Sequence, residues 1–493
     1  MPDSSEIDQP YPRRVYPLDA HELTEEQIAV VFAMTSRRPE PFDEIAREVS
    51  QEKAADFHER WVLGYGHASV AEHAVVHLAV ENVSRLACDM LEDNRLASYT
   101  EKSSRYQVMP DDYYYVPEEL DGYPSLKRVF VDACEALFKG YVRLMDGCIS
   151  HLRETVLKRE SERDGPYNMR LRRIATDHCR AVLPAATMTN VGVTANARAL
   201  EHAISKLLSA RLLEEYQLGR QIREQARIIT PTLIKYAEKN NYLERTPARQ
   251  RDLVNRFGLE DEHSGHGPET NGFRTKNRAP EVRLVHWDEQ AEEKLATALL
   301  YGGSHLTYDE VWQRVQDLDT EARQEIIDES LSGLGPHDAP PRELEVVDYT
   351  FEYLMDYGAY REFKRHRMQS YLPQLLSVTH GYRVPAVVAE AGLAGEFETA
   401  VAVAERAFWK VHDQVPVVAQ YLVTHAHNRR VLSKLNLREC YHLFKLRTSE
   451  MAHFSIREPA EEALRLTVEV HPQLFRHLQL RDYPQWWPFA TEH

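Results

Sequence analysis

Two five-residue stretches, Arg95-Leu-Ala-Ser-Tyr99 and Arg367-Met-Gln-Ser-Tyr371, occur 272 residues apart in this chain. A second pattern, Asn-x-Arg-x3-His, begins at Asn196 and again at Asn436, 240 residues later. Because both patterns recur in the same order, the sequence predicts a tandem duplication of one structural unit. The difference between the two spacings predicts extra loop or helix in the first copy, around residues 108–170.

Composition excludes several classes of protein. Of 493 residues, 43% are hydrophobic and 28% are charged, as in ordinary globular proteins. The formal net charge of −17 argues against a nucleic acid polymer as partner, because such binding depends on basic surface. No segment approaches the roughly 20 apolar residues of a membrane span, and the mean hydropathy is −0.53. A local basic pocket for a single phosphate remains compatible with this balance.

The cysteines and the first residues bear on the cellular compartment. Five scattered cysteines without C-x-x-C spacing are typical of reduced thiols and not of a disulfide framework or a zinc ribbon. The opening residues, MPDSSEIDQPYPRR, lack the apolar core of a signal peptide. We therefore expect a cytoplasmic protein that requires neither a membrane nor a metal.

Hydrophobic periodicity predicts a helix-rich α+β fold. Spacings of three and four residues favour helices over residues 127–160, 195–228, 346–367 and 395–425. Residues 73–82 and 346–354 fit either a strand or an amphipathic helix. Residues 261–281 carry Gly, Pro, Asn and charges with almost nothing apolar. We therefore expect an N-terminal domain over 1–255, a linker over 256–281 and a C-terminal domain over 282–493.

Two polar clusters could bind phosphate. Lys364-Arg-His-Arg367 could hold a pyrophosphate through bidentate guanidinium bonds, or could be a charged helix face. Glu101-Lys-Ser-Ser-Arg-Tyr106 offers hydroxyl, carboxylate and guanidinium groups for a nucleotide monophosphate, or could be a polar loop. His73 and His77 would share a helix face, but structural histidines are the preferred interpretation because no third metal ligand is evident.

In order along the chain, these pieces resemble the flavin-dependent thymidylate synthases. That family shows H-x-[ST]-x-x-E-H, then S-R, then R-H-R-x-x-S-x-x-E-x-S-x-R-Y. The first half resembles it through His67 to His73, Ser84-Arg85, Arg95 to Tyr106, Arg180-Ala-Val-Leu-Pro184 and Asn196-Ala-Arg198. The second half resembles it through Arg365-His-Arg-Met-Gln-Ser370 and through Asn436-Leu-Arg438, His442 and Arg447.

Each half departs from the family pattern. In the first half, Asp93-Asn94-Arg95 replaces R-H-R, and Leu207 stands where the family has a base-activating Arg. In the second half, the phosphate segment has become Pro373-Gln-Leu-Leu-Ser-Val378, and Gln420 replaces the Arg of R-x-V-L-P. The nearest counterpart of the H-x-[ST]-x-x-E-H element is Pro341-Arg-Glu-Leu-Glu345. Each half thus lacks what the other keeps, and we hypothesise composite sites shared by the two halves.

The resemblance implies roles for individual residues. It implies nucleotide binding by Glu101, Ser103, Arg105, Arg180 and Arg447, with Arg447 also the catalytic residue that stabilises charge on the base. It implies flavin binding by Ser69, Glu72, Asn196, Arg198 and His202 in the first half, and by Arg365, His366, Arg367, Asn436, Arg438 and His442 in the second.

The resemblance also implies an activity and an assembly. The activity is reductive methylation of dUMP to dTMP, with FAD as cofactor and NADPH and methylenetetrahydrofolate as co-substrates. The implied fold is two tandem domains, each a twisted, mainly antiparallel sheet packed with helices, and two chains would form a homodimer. Two alternatives stay open: a catalytically impaired homologue that binds flavin or nucleotide, and the same flavin chemistry on another pyrimidine nucleotide.

Overall fold

The computed structural model of the chain describes residues 13–18, 20–64, 66–259 and 280–489. Most of the expected linker, residues 260–279, lies outside the described residues. The α-helices are α1 (Glu25–Met34), α2 (Phe42–Glu48), α3 (Gln51–Phe57), α4 (Arg85–Glu92), α5 (Pro124–Thr155), α6 (Asp164–Cys179), α7 (Ala197–Leu208), α8 (Leu213–Ile229), α9 (Asn241–Arg256), α10 (Ala291–Tyr301), α11 (Tyr308–Gln316), α12 (Thr320–Leu331), α13 (Tyr357–Phe363), α14 (Ala386–Glu390), α15 (Ala394–His412), α16 (Pro416–Ala419), α17 (Leu437–Arg447), α18 (Phe454–Val470) and α19 (Pro472–Phe475).

The strands are fewer than the helices. They are β1 (Val75–Ser84), β2 (Ala97–Glu101), β3 (Met188–Asn196), β4 (Glu281–Trp287), β5 (Asp348–Asp356), β6 (Ser370–Pro373) and β7 (Asn428–Asn436). Short 3₁₀ helices cover Ala68–Glu72, Glu118–Leu120, Arg180–Val182, Arg342–Val346 and Gln420–Leu422, and His58–Gly64 forms a π-helical segment. No helix in the described ranges combines the length and apolar character that crossing a bilayer requires.

The chain divides into two compact units. The first contains the described residues of Met1–Glu81, Met90–Glu101 and Asn190–Leu253. Its sheet has the order β1-β3-β2, and β2 pairs antiparallel with β3 from Ala97 opposite Ala195 to Glu101 opposite Val191. Within this unit α7 and α8 approach closely at Gly219, where an added Cβ would lie 2.8 Å from Leu207 Cβ.

The second unit contains Asn82–Asp89, Lys102–Thr189 and the described residues of Val254–His493. Its sheet has the order β4-β5-β7-β6, and each neighbouring pair is antiparallel. The long helix α5, from the first half of the sequence, packs against α15 from the second half in one core that includes Leu137, Tyr141 and Phe397. An added Cβ at Gly140 would lie 3.2 Å from Ala400 Cβ, so the small residue permits this close approach.

Backbone hydrogen bonds in the second unit make the duplication visible. Ala185 N donates to Val423 O at 2.8 Å, and the counterpart of Ala185, His425, donates to Leu183 O at 3.0 Å. Ala186 N donates to Tyr421 O and Ala426 N to Ala181 O, both at 2.8 Å. In each pair of bonds, the donor and acceptor of one bond correspond to residues 240 positions away in the other bond. The two equivalent segments therefore bind each other reciprocally, as across a two-fold axis.

The α+β fold with two related sheet-and-helix arrangements confirms the predicted class. The helix expected over 127–160 is α5, which begins at Pro124, and residues 75–84 form a strand. The helix expected over 195–228 is two helices. The helix expected over 395–425 ends at His412 and is followed by the short helices Pro416–Ala419 and Gln420–Leu422.

Residues 346–354 fitted either a strand or a helix, and the strand is confirmed, so the helix expected over 346–367 is present only in its second half. In the first half β5 places Tyr349, Phe351 and Tyr353 on one buried side, an alternation typical of strands. Helix α13 begins only after Asp356, whose carboxylate accepts a hydrogen bond from Ala359 N at 2.7 Å.

Candidate functional site

Three arginines from separate elements of the second unit converge on one carboxylate, Glu362 of α13. Arg105 lies in the turn after β2, Arg180 begins the 3₁₀ helix after α6, and Arg447 is the last residue of α17. Glu362 Oε1 lies 3.4 Å from Arg180 Nη2 and 3.8 Å from Arg105 Nη1. Glu362 Oε2 lies 3.4 Å from Arg447 Nη1. Arginines from both halves of the sequence therefore meet at one place, which we call the arginine cluster (Arg105, Arg180, Arg447).

Other groups fix the orientation of these arginines. Asp177 accepts a bidentate pair of bonds from Arg105, with Nε at 2.9 Å and Nη2 at 3.2 Å. Ser104 Oγ accepts from Arg180 Nη1 at 3.3 Å. The arginine side chains are 10–19% exposed, so the cluster lies largely out of solvent while retaining donors for a ligand.

Burial and charge shape the pKa values here. Burial lowers the pKa of the Arg180 and Arg447 guanidinium groups, against the opposing attraction of Glu362. Burial also acts to lower the pKa of Arg105, but its bonds with Asp177 and the nearby Glu362 raise that pKa above its ordinary value. Cations held in this way are suited to an anionic ligand that brings its own negative charge.

A hydrogen-bonded chain leads from the cluster to His366. Arg447 Nε donates to His366 Nε2 at 2.8 Å, so that ring nitrogen carries no proton. His366 Nδ1 therefore carries the proton and donates to Glu439 Oε1 at 2.9 Å. Burial and the charge of Arg447 lower the pKa of His366 to about 3, and burial raises that of Glu439 to about 7. His366 is thus a neutral imidazole of fixed tautomer that orients Arg447.

A cavity of about 930 Å³ lies in the same unit. It is lined by residues that include Arg365, Arg367, Asn436, Arg438, Glu439, His442, Lys445 and Arg481. Glu345 accepts from Arg438 Nη1 at 2.8 Å, and Asn436 caps α17 by accepting from Glu439 N at 2.9 Å. His366 is 3% exposed and stands behind the cavity wall, with its ring 5.4 Å from that of His442.

The size and charge of this cavity fit FAD. Pockets for ligands of moderate size measure roughly 300–1,000 Å³, and a pyrophosphate needs cationic donors. Five cationic side chains line the walls, and among the residues that the structure describes Arg367 and Arg481 form no ion pair. The predicted flavin residues that this cavity brings together are Arg365, Arg367, Asn436, Arg438 and His442.

The predicted flavin residues of the first half lie in the first unit. Ser69, Glu72, Arg198 and His202 are exposed, and Asn196 caps α7 by accepting from Ala199 N at 2.8 Å. Arg198 Nη1 bonds Glu72 Oε1 at 2.5 Å. This pair is the counterpart of Arg438 with Glu345 in the second unit, so the expected equivalence of the segment 341–345 has a structural basis.

Several site residues were not predicted from the sequence. Glu362, Asp177 and Ser104 hold the arginine cluster, and Glu439 holds His366. The hydroxyl on Arg180 belongs to Ser104, whereas Ser103 Oγ accepts from Arg105 N at 3.2 Å. Glu101 ends β2 in the first unit. The position of Glu362, on the aromatic-rich segment just before Arg365, was the available signal for its proximity to the site.

Comparison with known proteins identifies the relatives of this chain. The family model described as thymidylate synthase complementing protein matches residues 18–232 and again 283–473. A UPF0159 protein of Chlamydia muridarum is 29% identical over 444 residues, covering 89% of this chain and 83% of that protein. A UPF0159 protein of Thermoplasma acidophilum is 27% identical over 478 residues, covering 89% and 91%.

A shorter relative matches about half of the chain. The flavin-dependent thymidylate synthase of Clostridium tetani is 27% identical over 214 residues, covering 43% of this chain and 82% of that protein. This relative, matched over 82% of its own length, thus corresponds to one copy of the duplicated unit. With the family model matched in two successive regions, this chain belongs to the flavin-dependent thymidylate synthase family as a tandem arrangement.

Proposed function

We propose that this protein is an FAD-dependent thymidylate synthase that converts dUMP to dTMP at a composite site. Methylenetetrahydrofolate would supply the carbon, and NADPH the reducing equivalents. The observation that carries the proposal is the convergence of Arg105 and Arg180, from the first half, with Arg447, from the second half, on Glu362. The cluster is linked by hydrogen bonds through His366 to a residue of the flavin-sized cavity.

In this proposal the arginine cluster binds the nucleotide. Arg105 and Arg180 hold the phosphate, because each retains donors beyond those given to Asp177, Ser104 and Glu362. Ser103, in the same turn as Arg105, contributes a contact to the sugar or base. Arg447 faces the uracil and stabilises negative charge as it develops on the base, a contact whose loss typically lowers the rate about 10²–10³-fold.

The cavity residues hold the cofactor. Arg365, Arg367 and Arg438 bind its pyrophosphate, and Asn436 and His442 contact its remaining polar groups. FAD, when bound, would carry hydride from NADPH to the base that has received the one-carbon unit, and this reduction gives the methyl group. The chain itself binds, orients and shields the reactants, and His366 keeps Arg447 at a fixed angle.

Two substitutions separate the parts of the composite site. Arg105→Ala should weaken dUMP binding and leave bound FAD unchanged, whereas Arg365→Ala should release FAD with less effect on dUMP. FAD is followed by its visible absorbance, dUMP by titration calorimetry, and turnover by tritium release from labelled dUMP. Arg128→Ala, at an exposed ion pair with Asp132 on α5, is the matched control and should change none of these. If both site variants affect the two ligands alike, or neither affects any, the composite site is wrong.

A catalytically impaired flavin- or nucleotide-binding protein is a second candidate. It is favoured by the first-half departures at Asp93-Asn94-Arg95 and Leu207, which remove expected cations. Such a protein would turn yellow with FAD but release no tritium from dUMP. A change of pyrimidine would instead appear as tighter binding of dCMP than of dUMP.

We also propose that two chains form a homodimer in the cytoplasm. The first unit presents Ser69, Glu72, Arg198 and His202 on its surface, where a second chain could complete a site. All five cysteines are described, buried and outside any disulfide. Light scattering should give twice the chain mass of 57.1 kDa, and a monomer would refute the dimer.

A further inference from the structure

Glu362 is placed where an anionic ligand would bind. Its side chain is 10% exposed, and its two oxygens are divided between the arginines of the two sequence halves. Oε1 faces Arg105 and Arg180, whereas Oε2 faces Arg447, whose Nη2 also donates to the backbone oxygen of Glu362 at 3.2 Å. The single carboxylate of Glu362 thus contacts three guanidinium groups, as the oxygens of a bound phosphate could.

The distances distinguish Glu362 from the other acid of the cluster. Asp177 binds Arg105 Nε at 2.9 Å, near the roughly 2.7–2.9 Å of a charge-assisted bond. The guanidinium nitrogens lie 3.4, 3.4 and 3.8 Å from Glu362, so each of these contacts is looser. Asp177 is therefore a firm partner that orients Arg105, and Glu362 is a shared, loosely held anion.

Glu362 balances the charge of the arginine cluster when no ligand is bound. The three arginines contact Asp177 and Glu362. The nearby Asp356 and Arg365 add one charge of each sign, so the cations exceed the acids by one. Without Glu362, three largely buried cations would lose the acid that all of them contact, which is costly in a medium of low dielectric constant. A bound phosphate monoester, with a charge of about −1.5 to −2, would take over this neutralising role and repel Glu362.

We propose that Glu362 is an internal counter-anion that neutralises the arginine cluster in the absence of ligand and competes with the phosphate of the substrate. Glu362 thereby stabilises the free protein and weakens the affinity for anions, so it sets how strongly a phosphate group must bind to occupy the site. This inference rests on the proposed function in taking phosphate monoesters as the ligand class. The contacts that carry it exist whether or not the chain binds flavin.

The test measures affinity and stability together in the full-length protein, with inorganic phosphate as the probe. Glu362→Gln should bind phosphate at least tenfold more tightly than the parent protein and should melt at a lower temperature in phosphate-free buffer. Added phosphate should restore much of that loss, because the anion replaces the missing carboxylate. A side chain with a merely structural role would lower stability and affinity together, so the opposite signs are diagnostic.

Two further variants complete the design. Glu362→Asp keeps the charge and should bind phosphate with an affinity between those of the parent and of Glu362→Gln. Glu352→Gln is the matched control, since Glu352 bonds Arg430 at 3.1 Å in the same unit, and should leave phosphate affinity unchanged. Recovery of folded Glu362→Gln only in the presence of phosphate also supports the proposal.

Unchanged or weaker phosphate binding by Glu362→Gln, or failure to fold with and without phosphate, overturns the proposal. Binding of dUMP and FAD by the parent protein is measured separately. If the parent protein binds neither dUMP nor FAD while the phosphate result holds, the proposed function is refuted and the role of Glu362 stands.

Discussion

Replacing Asp89 by asparagine should destabilise the second unit strongly, because Asp89 joins the two halves of the sequence within it. Asp89, on α4, accepts from Lys364 Nζ at 2.8 Å, from Arg361 Nη1 at 3.1 Å and from Tyr357 Oη at 2.7 Å. Tyr357 and Arg361 lie on α13, the helix that also carries Glu362, and Lys364 is the C-cap residue of that helix. Although burial acts to raise the pKa of Asp89, Lys364 and Arg361 lower it below its ordinary value.

The size of the effect follows from burial. The side chains of Lys364, Arg361 and Asp89 are 2%, 6% and 11% exposed, so neither cation can regain water when the carboxylate is lost. Removing one partner of a buried ion pair typically costs about 3–5 kcal/mol. We expect Asp89→Asn to lower the free energy of unfolding by that amount, and Asp89→Asn with Lys364→Met to recover part of it.

The assay is urea unfolding at pH 7, followed by far-ultraviolet circular dichroism and tryptophan fluorescence. Asp132→Asn, at an exposed pair with Arg128, is the control and should change stability by less than about 1 kcal/mol. Because the pKa of Asp89 is lowered, its contribution is present above its unfolded pKa of about 3.9 and is lost on acidification below it. If Asp89→Asn costs no more than the control, the buried network does not hold α4 to α13 as argued.

Three further outcomes are expected. Gly219→Ala should cost about 1–3 kcal/mol in thermal unfolding of the first unit, since its new Cβ would meet Leu207 at 2.8 Å, and an unchanged melting temperature would contradict this close approach. Burial raises the pKa of Asp356 to about 6, so its contribution to stability is present below the unfolded pKa and is lost as pH rises through 6. Asp356→Asn should therefore reduce the pH dependence of the urea midpoint between pH 4 and 6. The same pH dependence in the parent and in the variant would refute this titration. His366→Gln should lower kcat about 10–100-fold with a smaller change in KM for dUMP, because Arg447 loses its orientation, and a change in KM alone would remove His366 from that role.

The sequence was sufficient to predict the α+β class and the duplication, because both depend on local pattern and on ordered motifs. For residues 346–354 the pattern left strand and helix open, and the alternation of Tyr349, Phe351 and Tyr353 belongs to the strand of the structure. Residues 195–228 contain a break at 209–212 that helical spacing did not reveal. Local periodicity thus identifies the elements better than it identifies their ends.

The pairing of charges could not be predicted from a single sequence. Glu362 lies 182 positions from Arg180 and 85 from Arg447, and the fold alone brings them together. The motif placed His366 among flavin residues, whereas its two ring nitrogens bond Arg447 and Glu439. Motif spacing identified the residue types of the site, and long-range packing determined which atoms meet.

The central claim is that one binding site is built from both halves of the chain. The most direct measurement is a double-mutant cycle on dUMP affinity with Arg105→Ala, Arg447→Ala and the combined variant, by titration calorimetry of the FAD-loaded protein. A charged hydrogen bond to a ligand contributes about 1.5–3 kcal/mol, so each single variant should lose about ten- to 150-fold in affinity. Because both arginines share Glu362, the losses in the combined variant should not add. If dUMP affinity depends on only one of the two arginines, the composite site is contradicted.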